Sequence, residues 1–308
     1  MNISSKTVTV LMSTYNGEKY LEDQLNSLLR QKNVDLKILI RDDGSTDNTI
    51  SILEEYSQKD ERISFYCGKN IGWRESFLNL VCNAPKSDYY AFCDQDDVWD
   101  GDKLIVAITK LKVLEERFSN IPLLYYSNLR IVDESLEFCR NLHESNFTNN
   151  TSFSSLALPV ATGCTEVFNF VAKQIVKDNP PYNIAHDRWL FSTCQLLGHT
   201  IYDSIPHMSY RQHSNNAVGA STESSFKLWT KRIFALFEKD KYHMPFLLEI
   251  WRCYETFLSE TAKVKITKII NYKRNLTNYI SVLFDRDIKG HTPRQSLFWK
   301  IRILLFRI

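Results

Sequence analysis

The chain has 308 residues, of which 44% are hydrophobic and 24% are charged. This composition is typical of a folded globular protein and excludes a disordered chain, a collagen-like repeat and a disulfide scaffold. The length predicts one large domain, or one domain with an appended piece. The net charge of only +2 indicates no particular partner.

The charge is unevenly distributed along the chain. Residues 1–225 contain 21 basic and 29 acidic side chains, a net charge of −8, whereas residues 226–308 contain 17 and 7, a net charge of +10. A basic C-terminal region predicts contact with something anionic, such as a membrane surface or nucleic acid. The alternative is that basic helices face solvent or dock on the acidic body.

The seven cysteines are scattered and include no Cys-x-x-Cys pair. This pattern argues against a disulfide framework and against a zinc site, and it favours a reducing compartment. The chain runs from a short polar start directly into a strand-like segment, so we expect no signal peptide. No stretch is long and apolar enough to predict a transmembrane helix. The expected location is therefore cytoplasmic.

The first 130 residues alternate between the period of a strand and the period of a helix. The predicted strands cover residues 8–15, 36–41, 63–67, 89–94 and 123–132. The predicted helices cover residues 18–31, 47–57, 73–82 and 100–117. This alternation predicts an α/β fold with a mostly parallel sheet flanked by helices, in which ligands bind beyond the carboxyl ends of the strands.

After residue 134 the regular alternation of strands and helices ends. We expect a loop at 134–158, a helix ending near 177, a helix at 187–197 and a strand at 200–210. Long helices follow at 226–238, 243–263 and 265–284, and the final stretch 297–308 mixes apolar and basic residues. The Asn/Ser/Gly/Thr-rich segment 214–225 predicts a domain boundary, with one domain at 1–222 and a basic helical region at 223–308.

The sharpest local signal is Asp94-Gln95-Asp96-Asp97, directly after an apolar strand. Three ionised carboxylates in four residues repel one another, so they call for a compensating positive charge. Carboxylate oxygens suit Mg²⁺ or Mn²⁺. The alternative is an exposed acidic turn that caps the next helix.

Three other motifs are ambiguous on their own. Asp42 and Asp43 precede Gly44 and follow a strand, where they can accept hydrogen bonds from a ligand or simply form a turn. Asp187 opens a helix, as an N-cap or as a general base. His213 is compatible with a metal ligand or phosphate partner, although a lone histidine is more often structural.

Taken together, the motifs of the chain resemble those of family 2 glycosyltransferases, which have the GT-A fold. They occur in the family's order over roughly residues 7–219. In chain order they are Ser13-Thr14-Tyr15-Asn16, Asp42-Asp43-Gly44-Ser45-Thr46-Asp47, Asn70-Ile71-Gly72, Asp94-Gln95-Asp96, Gly163-Cys164, His186-Asp187 and Tyr210-Arg211-x-His213. The variants Asp-Gln-Asp-Asp-Val-Trp, His-Asp-Arg-Trp and Tyr-Arg-Gln-His-x-Asn look most like the bacterial rhamnosyltransferase branch.

The resemblance implies a role for each matching position. The donor-binding residues would be Thr14, Tyr15, Asn16, Asp42, Asp43, Gly72, Asp94, Asp96 and Arg211. Asp96 and His213 would hold Mn²⁺ or Mg²⁺, and Asp187 would be the general base. The acceptor-binding residues would be Gly163, Cys164, His186, Arg188 and Trp189. His186 replaces the family's usual Glu, and core packing is the alternative for Trp189.

The implied reaction is inverting, metal-dependent transfer of one sugar from a nucleotide sugar to an acceptor hydroxyl. If the resemblance to rhamnosyltransferases extends to the substrate, the donor is dTDP-L-rhamnose. The acceptor is then a polyprenyl-diphosphate-linked oligosaccharide in bacterial cell-surface polysaccharide synthesis. The basic C-terminal region would lie at the inner face of the plasma membrane, with 298–308 in the interface.

Several alternatives stay open at this point. The donor can be a UDP-hexose, because the shape of the pocket selects the sugar. A non-catalytic sugar-nucleotide-binding protein on the same fold is less favoured, and so is nucleotidyl transfer, which calls for a Gly-rich basic loop after the first strand. Nucleic-acid binding rests on the tail charge alone and is disfavoured. The oligomeric state is open, with a homodimer as one option.

Overall fold

Strands and helices alternate through the first half of the chain in the computed structural model, which describes residues 6–143, 161–213, 243–288 and 293–307. The strands are β1 (Thr7–Thr14), β2 (Asp35–Asp42), β3 (Ile63–Cys67), β4 (Tyr89–Cys93), β5 (Val98–Trp99), β6 (Leu123–Ser127), β7 (Arg130–Val132), β8 (Phe138–Asn141), β9 (Val167–Asn169), β10 (His199–Asp203) and β11 (Met208–Arg211). The helices are α1 (Leu21–Leu29), α2 (Thr49–Lys59), α3 (Trp73–Asn83), α4 (Lys103–Glu115), α5 (Phe170–Asp178), α6 (His186–Leu197), α7 (His243–Tyr254), α8 (Glu260–Ile270), α9 (Leu276–Phe284) and α10 (Pro293–Leu304). A short 3₁₀ helix covers Gly163–Thr165.

The described residues fall into two compact units. The first contains residues 6–143, 161–194 and 198–213, and the second contains 195–197, 243–288 and 293–307. The predicted domain boundary at 222/223 lies outside the described residues, and so does the predicted helix at 226–238.

The first unit is built on a seven-stranded sheet in the order β10-β6-β9-β4-β1-β2-β3. All its pairings are parallel except those of β9, which runs antiparallel to β4 and to β6. Every residue of β4 and β6 is buried, and all of them except Ser127 are apolar or aromatic, as is typical of a sheet covered on both faces. The predicted mostly parallel α/β fold is confirmed.

Helices cover the sheet through regularly spaced apolar residues. In α1 the buried side chains include Leu21, Leu25 and Leu28, which recur at helical spacing and join the core around β1 and β2. In α4 the equivalent stripe is Leu104, Ala107, Ile108 and Leu111. Amphipathic helices of this kind dock one face on a sheet and leave the other to solvent.

Two predicted strands are each broken into two. The predicted strand at 123–132 ends at Ser127, because the Asn128 side chain donates to the His143 carbonyl and accepts from the Leu129 N–H. The predicted strand at 200–210 is interrupted before Met208, where Pro206 has no N–H to donate. The second halves, β7 and β11, join a separate four-stranded sheet in the order β5-β11-β7-β8.

The region between residues 134 and 177 also differs in detail from the prediction. The predicted loop at 134–158 contains β8, whose four residues are all exposed, and residues 144–158 lie outside the described part. The apolar stretch at 161–170 forms the 3₁₀ helix and then β9. Asn169 ends β9 and caps α5, because its side chain accepts from the Ala172 N–H.

The second unit consists of helices, but shorter ones than predicted. The predicted helices at 243–263 and 265–284 are replaced by α7, α8 and α9. Two capping side chains account for the breaks: Ser259 accepts from the Ala262 N–H before α8, and Asn275 accepts from the Thr277 N–H before α9. Within the described residues, none of the helices combines the length and the apolar character needed to cross a bilayer.

Candidate functional site

The carboxyl ends of β1, β2 and β4 carry the polar motifs found in the sequence. The turn after β2 is built on Asp42, which is fully buried. Thr14 Oγ1 donates to Asp42 Oδ1 over 2.9 Å, and the N–H groups of Gly44 and Ser45 donate to Oδ2 over 3.1 and 2.8 Å. Both oxygens of Asp42 hold the turn, and Thr14 is buried. These two residues, which were predicted to bind the sugar donor, therefore support the site from the protein interior.

Asp43 connects this turn to the loop before α3. Its Oδ1 accepts from Arg41 Nη1 over 2.5 Å and from the Ile71 N–H over 2.9 Å, and its Oδ2 accepts from the Gly72 N–H over 2.9 Å. Gly72 has a φ of +82°, a conformation that side chains disfavour. The buried Arg41–Asp43 pair therefore sets the path of the 70–72 loop along the edge of the site.

The loop after β1 is held by Gln95. The Tyr15 N–H donates to Gln95 Oε1 over 2.8 Å, and Gln95 Nε2 donates to the Tyr15 carbonyl over 3.1 Å. Asn16, with a φ of +46°, accepts from the Thr46 N–H over 2.8 Å. The Tyr15 side chain is 47% exposed and is accessible to a ligand. The two loops thus form one continuous rim.

Three carboxylates follow β4, as the sequence indicates. Burial raises the pKa of Asp94 to about 7, and the charges of Asp96 and Asp187 add to the effect. Burial also raises the pKa of Asp97 well above its usual range. Asp97 Oδ1 accepts from the Arg211 N–H over 3.2 Å, whereas Oδ2 has no hydrogen-bond partner among the described residues. Ionisation of all three carboxyl groups is therefore unfavourable unless a positive charge lies beside them.

Lys103 supplies a buried positive charge next to these carboxylates. It is fully buried, and its Nζ donates to the Cys164 carbonyl over 2.5 Å and lies 3.1 Å from the centroid of a Trp99 ring. Burial lowers its pKa to about 8, while Asp97 and Asp94 act in the opposite direction. The compensating charge predicted for this cluster is therefore supplied in part by the chain itself.

Asp96 and His213 meet on one side of the site. His213 Nε2 lies 2.8 Å from Asp96 Oδ2, and the two side chains are 9% and 15% exposed. This separation lets a carboxylate oxygen and an imidazole nitrogen contact one ion, because Mg²⁺–ligand distances are about 2.0–2.1 Å. Carboxylate and imidazole are also a donor set that first-row divalent cations accept. The pair therefore fits the predicted Mn²⁺ or Mg²⁺ site.

A second group that could hold an ion is Asp94, Asp97 and Cys164, which offer ligand atoms within 4.8 Å of one another. Cys164 is buried, and burial raises the pKa of its thiol. A protonated thiol is a poor ligand for a hard cation. With Lys103 nearby as a counter-charge, this group fits Mn²⁺ or Mg²⁺ less well than Asp96 and His213 do.

Arg211 is a predicted donor-binding residue, and it is 3% exposed. Its guanidinium donates to the Asp96 and Glu134 carbonyls over 3.0 and 2.7 Å and to Asp23 Oδ2 over 2.7 Å. These contacts hold the acidic loop against α1 and the segment after β7. They favour a positioning role for Arg211 over direct contact with the donor.

Asp187 lies in the first turn of α6, and Ala185 is the N-cap, so the N-cap interpretation of Asp187 is wrong. Its Oδ1 accepts from the adjacent Arg188 N–H over 2.7 Å. Asp187 is half-buried and close enough to affect the ionisation of Asp94. The acidic loop and the start of α6 therefore face the same space.

His186 points into an aromatic cluster. Its ring stacks on Phe77 at 3.9 Å and meets Phe92 edge-on at 4.5 Å. Burial lowers its pKa to about 4, so the imidazole is neutral near pH 7. His186, the residue that departs from the family pattern, is therefore packed in the protein interior next to the site.

The other predicted acceptor residues differ in how accessible they are. Trp189 is fully buried, which favours its core-packing alternative, and Arg188 is half-buried. Gly163 lies against α6: a Cβ there would be 2.9 Å from His186 Nε2 and 3.2 Å from the Asp187 Cβ. Its lack of a side chain allows the 3₁₀ helix to approach the proposed base closely.

Three residues of this region were not singled out from the sequence. Gln95 and Lys103 bind the loops together, and Glu166 is a fully buried carboxyl group beside Asp187. The position of Lys103 was detectable, because it shares its helix face with the apolar residues Ala107 and Leu111. Nothing in the local pattern distinguishes Gln95.

Comparisons with known proteins identify the family of the chain and its fold. The family model described as "Glycosyl transferase family 2" matches residues 9–130. The dTDP-rhamnosyl transferase RfbG of Shigella flexneri is 34% identical over 243 residues, which cover 72% of this chain and 78% of that protein. The putative teichuronic acid biosynthesis glycosyltransferase TuaG of Bacillus subtilis is 39% identical over 98 residues, which cover 32% of this chain and 38% of that protein.

Among solved structures, residues 1–349 of S. aureus TarS have a TM-score of 0.55 at 17% identity, covering 91% of this chain and 76% of that one. The same protein in complex with UDP-GlcNAc has a TM-score of 0.55 at 18% identity, covering 91% and 77%. At these identities the likeness concerns the fold, which is of the GT-A type. The predicted fold and the resemblance to rhamnosyltransferases are confirmed, and the chain belongs to glycosyl transferase family 2.

Proposed function

We propose that this glycosyltransferase transfers a sugar from a nucleoside-diphosphate sugar to an acceptor hydroxyl with inversion at the anomeric carbon. The observation that carries the proposal is that the short 3₁₀ helix links the two groups: Cys164 offers a ligand atom within 4.8 Å of those of Asp94 and Asp97, and a Cβ on Gly163 would be 3.2 Å from the Asp187 Cβ. It supports a single site with a donor side at the acidic loop and a base at the start of α6. Attack from the face opposite the leaving group requires these two functions on opposite sides of the sugar.

Different residues bind the nucleotide, stabilise the charge of the leaving group and accept the proton of the attacking hydroxyl. The rim around Tyr15 receives the nucleotide, and the Arg41–Asp43 pair and Asp42 keep its turns in place. Asp96 and His213 hold Mn²⁺ or Mg²⁺, which when bound supplies positive charge to the diphosphate leaving group. Asp187 accepts the proton of the attacking hydroxyl. A single displacement needs no enzyme nucleophile, so the cysteines have no covalent role.

The proposed donor is dTDP-L-rhamnose. It is supported by the similarity to the dTDP-rhamnosyl transferase RfbG, which extends over 72% of this chain and well beyond the motifs. The alternative donor is a UDP-hexose, and the complex of the structurally similar TarS with UDP-GlcNAc supports a nucleotide sugar in general. The proposed acceptor is a polyprenyl-diphosphate-linked oligosaccharide.

A donor panel tests this proposal. The chain is incubated with dTDP-L-rhamnose, UDP-glucose, UDP-galactose and UDP-N-acetylglucosamine, each with Mn²⁺, Mg²⁺ or EDTA, and nucleoside diphosphate release is measured. We expect release from dTDP-L-rhamnose and its loss in EDTA. Release from a UDP-hexose alone would contradict the proposed donor. Unchanged release in EDTA would contradict the proposed metal dependence.

We also propose a membrane-facing surface, the α9 face, formed by Leu276, Ile280 and Phe284. These residues recur every fourth position and are 72%, 48% and 71% exposed. Leu276–Phe284 carries no charged residue. Exposed Lys273 and Arg274 precede it, and Asp285, Arg286 and Asp287 follow it, with both aspartates paired to Lys265. An apolar stripe next to exposed basic side chains is the pattern of a helix that lies in the interface of an anionic bilayer.

The α9 face is a better test than the predicted segment 298–308, where Trp299 and Ile303 are buried. The triple variant L276S/I280S/F284S is compared with wild type for sedimentation with vesicles of phosphatidylcholine alone or with phosphatidylglycerol. I205S/V113S removes exposed apolar side chains in the first unit as a control. We expect only the triple variant to lose binding to the anionic vesicles. Unchanged binding, or a change in oligomeric state instead, overturns the lipid assignment.

A further inference from the structure

Glu166 is a buried carboxyl group that the proposed mechanism does not use. It lies between the 3₁₀ helix and β9, and its backbone is fixed: its N–H donates to the Gly163 carbonyl over 2.9 Å, and its carbonyl accepts from the Phe92 N–H over 3.3 Å. The residue is 0% exposed, and neither side-chain oxygen has a hydrogen-bond partner among the described residues. A buried polar group of this kind requires an explanation.

The residues around Glu166 show that it packs against α6. Gly163, whose carbonyl accepts from the Glu166 N–H, lies against the start of α6, where a Cβ on Gly163 would be 3.2 Å from the Asp187 Cβ. Further along α6, the Phe191 ring meets the ring of Tyr126 on β6 at 5.2 Å. Asp187 and Phe191 are four residues apart in one helix, so they share a face. Glu166 therefore lies against the face of α6 that carries the proposed base.

The neighbours of Glu166 on β6 and β4 are aromatic residues. On β6, the register that pairs Tyr125 with Val167 brings Tyr126 opposite Glu166 when continued by one residue. On β4 the nearest backbone partner is Phe92. Beyond the base, the next acidic group is Asp94, which interacts with Asp187. Among the described residues, the titratable groups on the elements packed against Glu166 are thus Asp187, Cys194, Tyr126 and His186, whose neutral ring meets Phe92 edge-on.

We propose that Glu166 and Asp187 form a pair of carboxyl groups that carries a single negative charge, with the proton on Glu166 and the charge on Asp187. Two carboxylates in a shared low-dielectric environment do not both ionise readily. The fully buried member has the larger desolvation penalty, so it keeps the proton. The half-buried member keeps the charge and thereby remains a base.

This assignment of the proton to Glu166 depends on the proposed function in one respect, namely that Asp187 is the general base. Burial raises the pKa of Glu166 well above its ordinary value, and the charge of Asp187 adds to the effect. Glu166 is a positioning residue: the hydroxyl proton moves to Asp187, and Glu166 exchanges no proton during turnover. Ionisation of Glu166 places a second, unpartnered charge behind the base and disturbs the site.

The test compares wild type with E166Q, a permanently neutral isostere, and with E61Q, the same chemical change at an exposed position. Turnover is measured from mildly acidic to alkaline pH, together with unfolding by denaturant. We expect turnover of E166Q within twofold of wild type at neutral pH. At alkaline pH wild type should lose turnover that E166Q retains, and E61Q should follow wild type.

Stability gives a second readout with a definite sign. Unfolded Glu166 ionises at ordinary acidic pH, whereas the folded group keeps its proton, so unfolding of wild type releases a proton and becomes more favourable as pH rises. E166Q should therefore exceed wild type in stability by a margin that grows with pH. The infrared carbonyl band of a protonated carboxylic acid should be present in wild type and weaker in E166Q.

Two results overturn the inference. A tenfold or greater loss of turnover in E166Q at neutral pH means that the carboxyl group acts directly. Superimposable pH profiles of wild type and E166Q, for both turnover and stability, mean that Glu166 does not share a charge with the base. Failure of the proposed function can be told apart from failure of this inference. If Asp187 is not the base, D187N retains turnover whatever the result with E166Q.

Discussion

His213 Nε2 lies 2.8 Å from Asp96 Oδ2, although the two residues are 117 positions apart in the chain. The Tyr20 ring, 4.8 Å from the imidazole, covers it on one side. This contact joins the loop after β4 to the residues after β11. It is the arrangement from which we infer the cation site.

Replacement of His213 should weaken metal binding. The variant H213Q should need at least about tenfold more Mn²⁺ for half-maximal nucleoside diphosphate release, because changes even outside the ligand shell cost about 10–100-fold in metal affinity. Mn²⁺ titration of initial rates measures this. H199Q, at an exposed histidine remote from the carboxylates, should titrate like wild type, and an unshifted curve for H213Q would exclude it as a ligand.

Asp187→Asn should reduce sugar transfer by about 10²–10⁴-fold, the usual contribution of a general base. Nucleotide binding should persist, since the rim around Tyr15 does not involve Asp187. Turnover and nucleotide affinity are measured separately, the latter by calorimetry. The matched control is D178N, at an exposed position of α5. A D187N enzyme with most of its turnover would remove Asp187 from the mechanism.

Stability should fall in acid because of His186. Its folded pKa of about 4 lies below the unfolded value of about 6.5, so the unfolded chain binds a proton that the folded chain excludes. The contribution is present above pH 6.5 and is lost as pH falls towards 4. Between pH 7 and pH 4.5 wild type should lose about 2–3 kcal/mol through this residue.

The control for this prediction is H186F, which keeps an aromatic ring stacked on Phe77 and edge-on to Phe92 but has no proton to bind. Denaturant unfolding of both proteins at the two pH values isolates the histidine, because the other titrating groups are common to both. The difference between the proteins should grow in acid. A constant difference would contradict the buried neutral state.

Lys103→Met should destabilise the fold by about 1–3 kcal/mol, the usual cost of leaving a buried polar group without its partner, because the Cys164 carbonyl loses this donor. The methionine fills similar space but leaves Asp94 and Asp97 without their nearby cation. K6M is the comparison: Lys6 pairs with Asp88 at the surface, where such pairs contribute about 0–1 kcal/mol. Equal losses in the two variants, measured by denaturant unfolding, would mean that Lys103 does not balance the acidic loop.

The strand and helix periods were sufficient to predict the parallel sheet, because the spacing of apolar residues along the chain is a local property. The breaks were not predictable in this way. Asn128 ends β6 through bonds to the carbonyls of His143 and Ser204, which are 15 and 76 positions away. Ser259 and Asn275 become caps only where the following helices begin. These side chains are polar and common, and their roles depend on what lies beside them.

The sequence by itself determined the family, the order of the motifs and the edge of the sheet where the chemistry lies. Only the tertiary structure decided which polar groups face a ligand and which hold the loops. Arg211 and Asp42 are occupied by contacts within the protein, while Lys103 and Glu166 are buried ionisable groups near the proposed base and acidic loop. Burial and charge compensation depend on distances between remote segments, so no local pattern contains them.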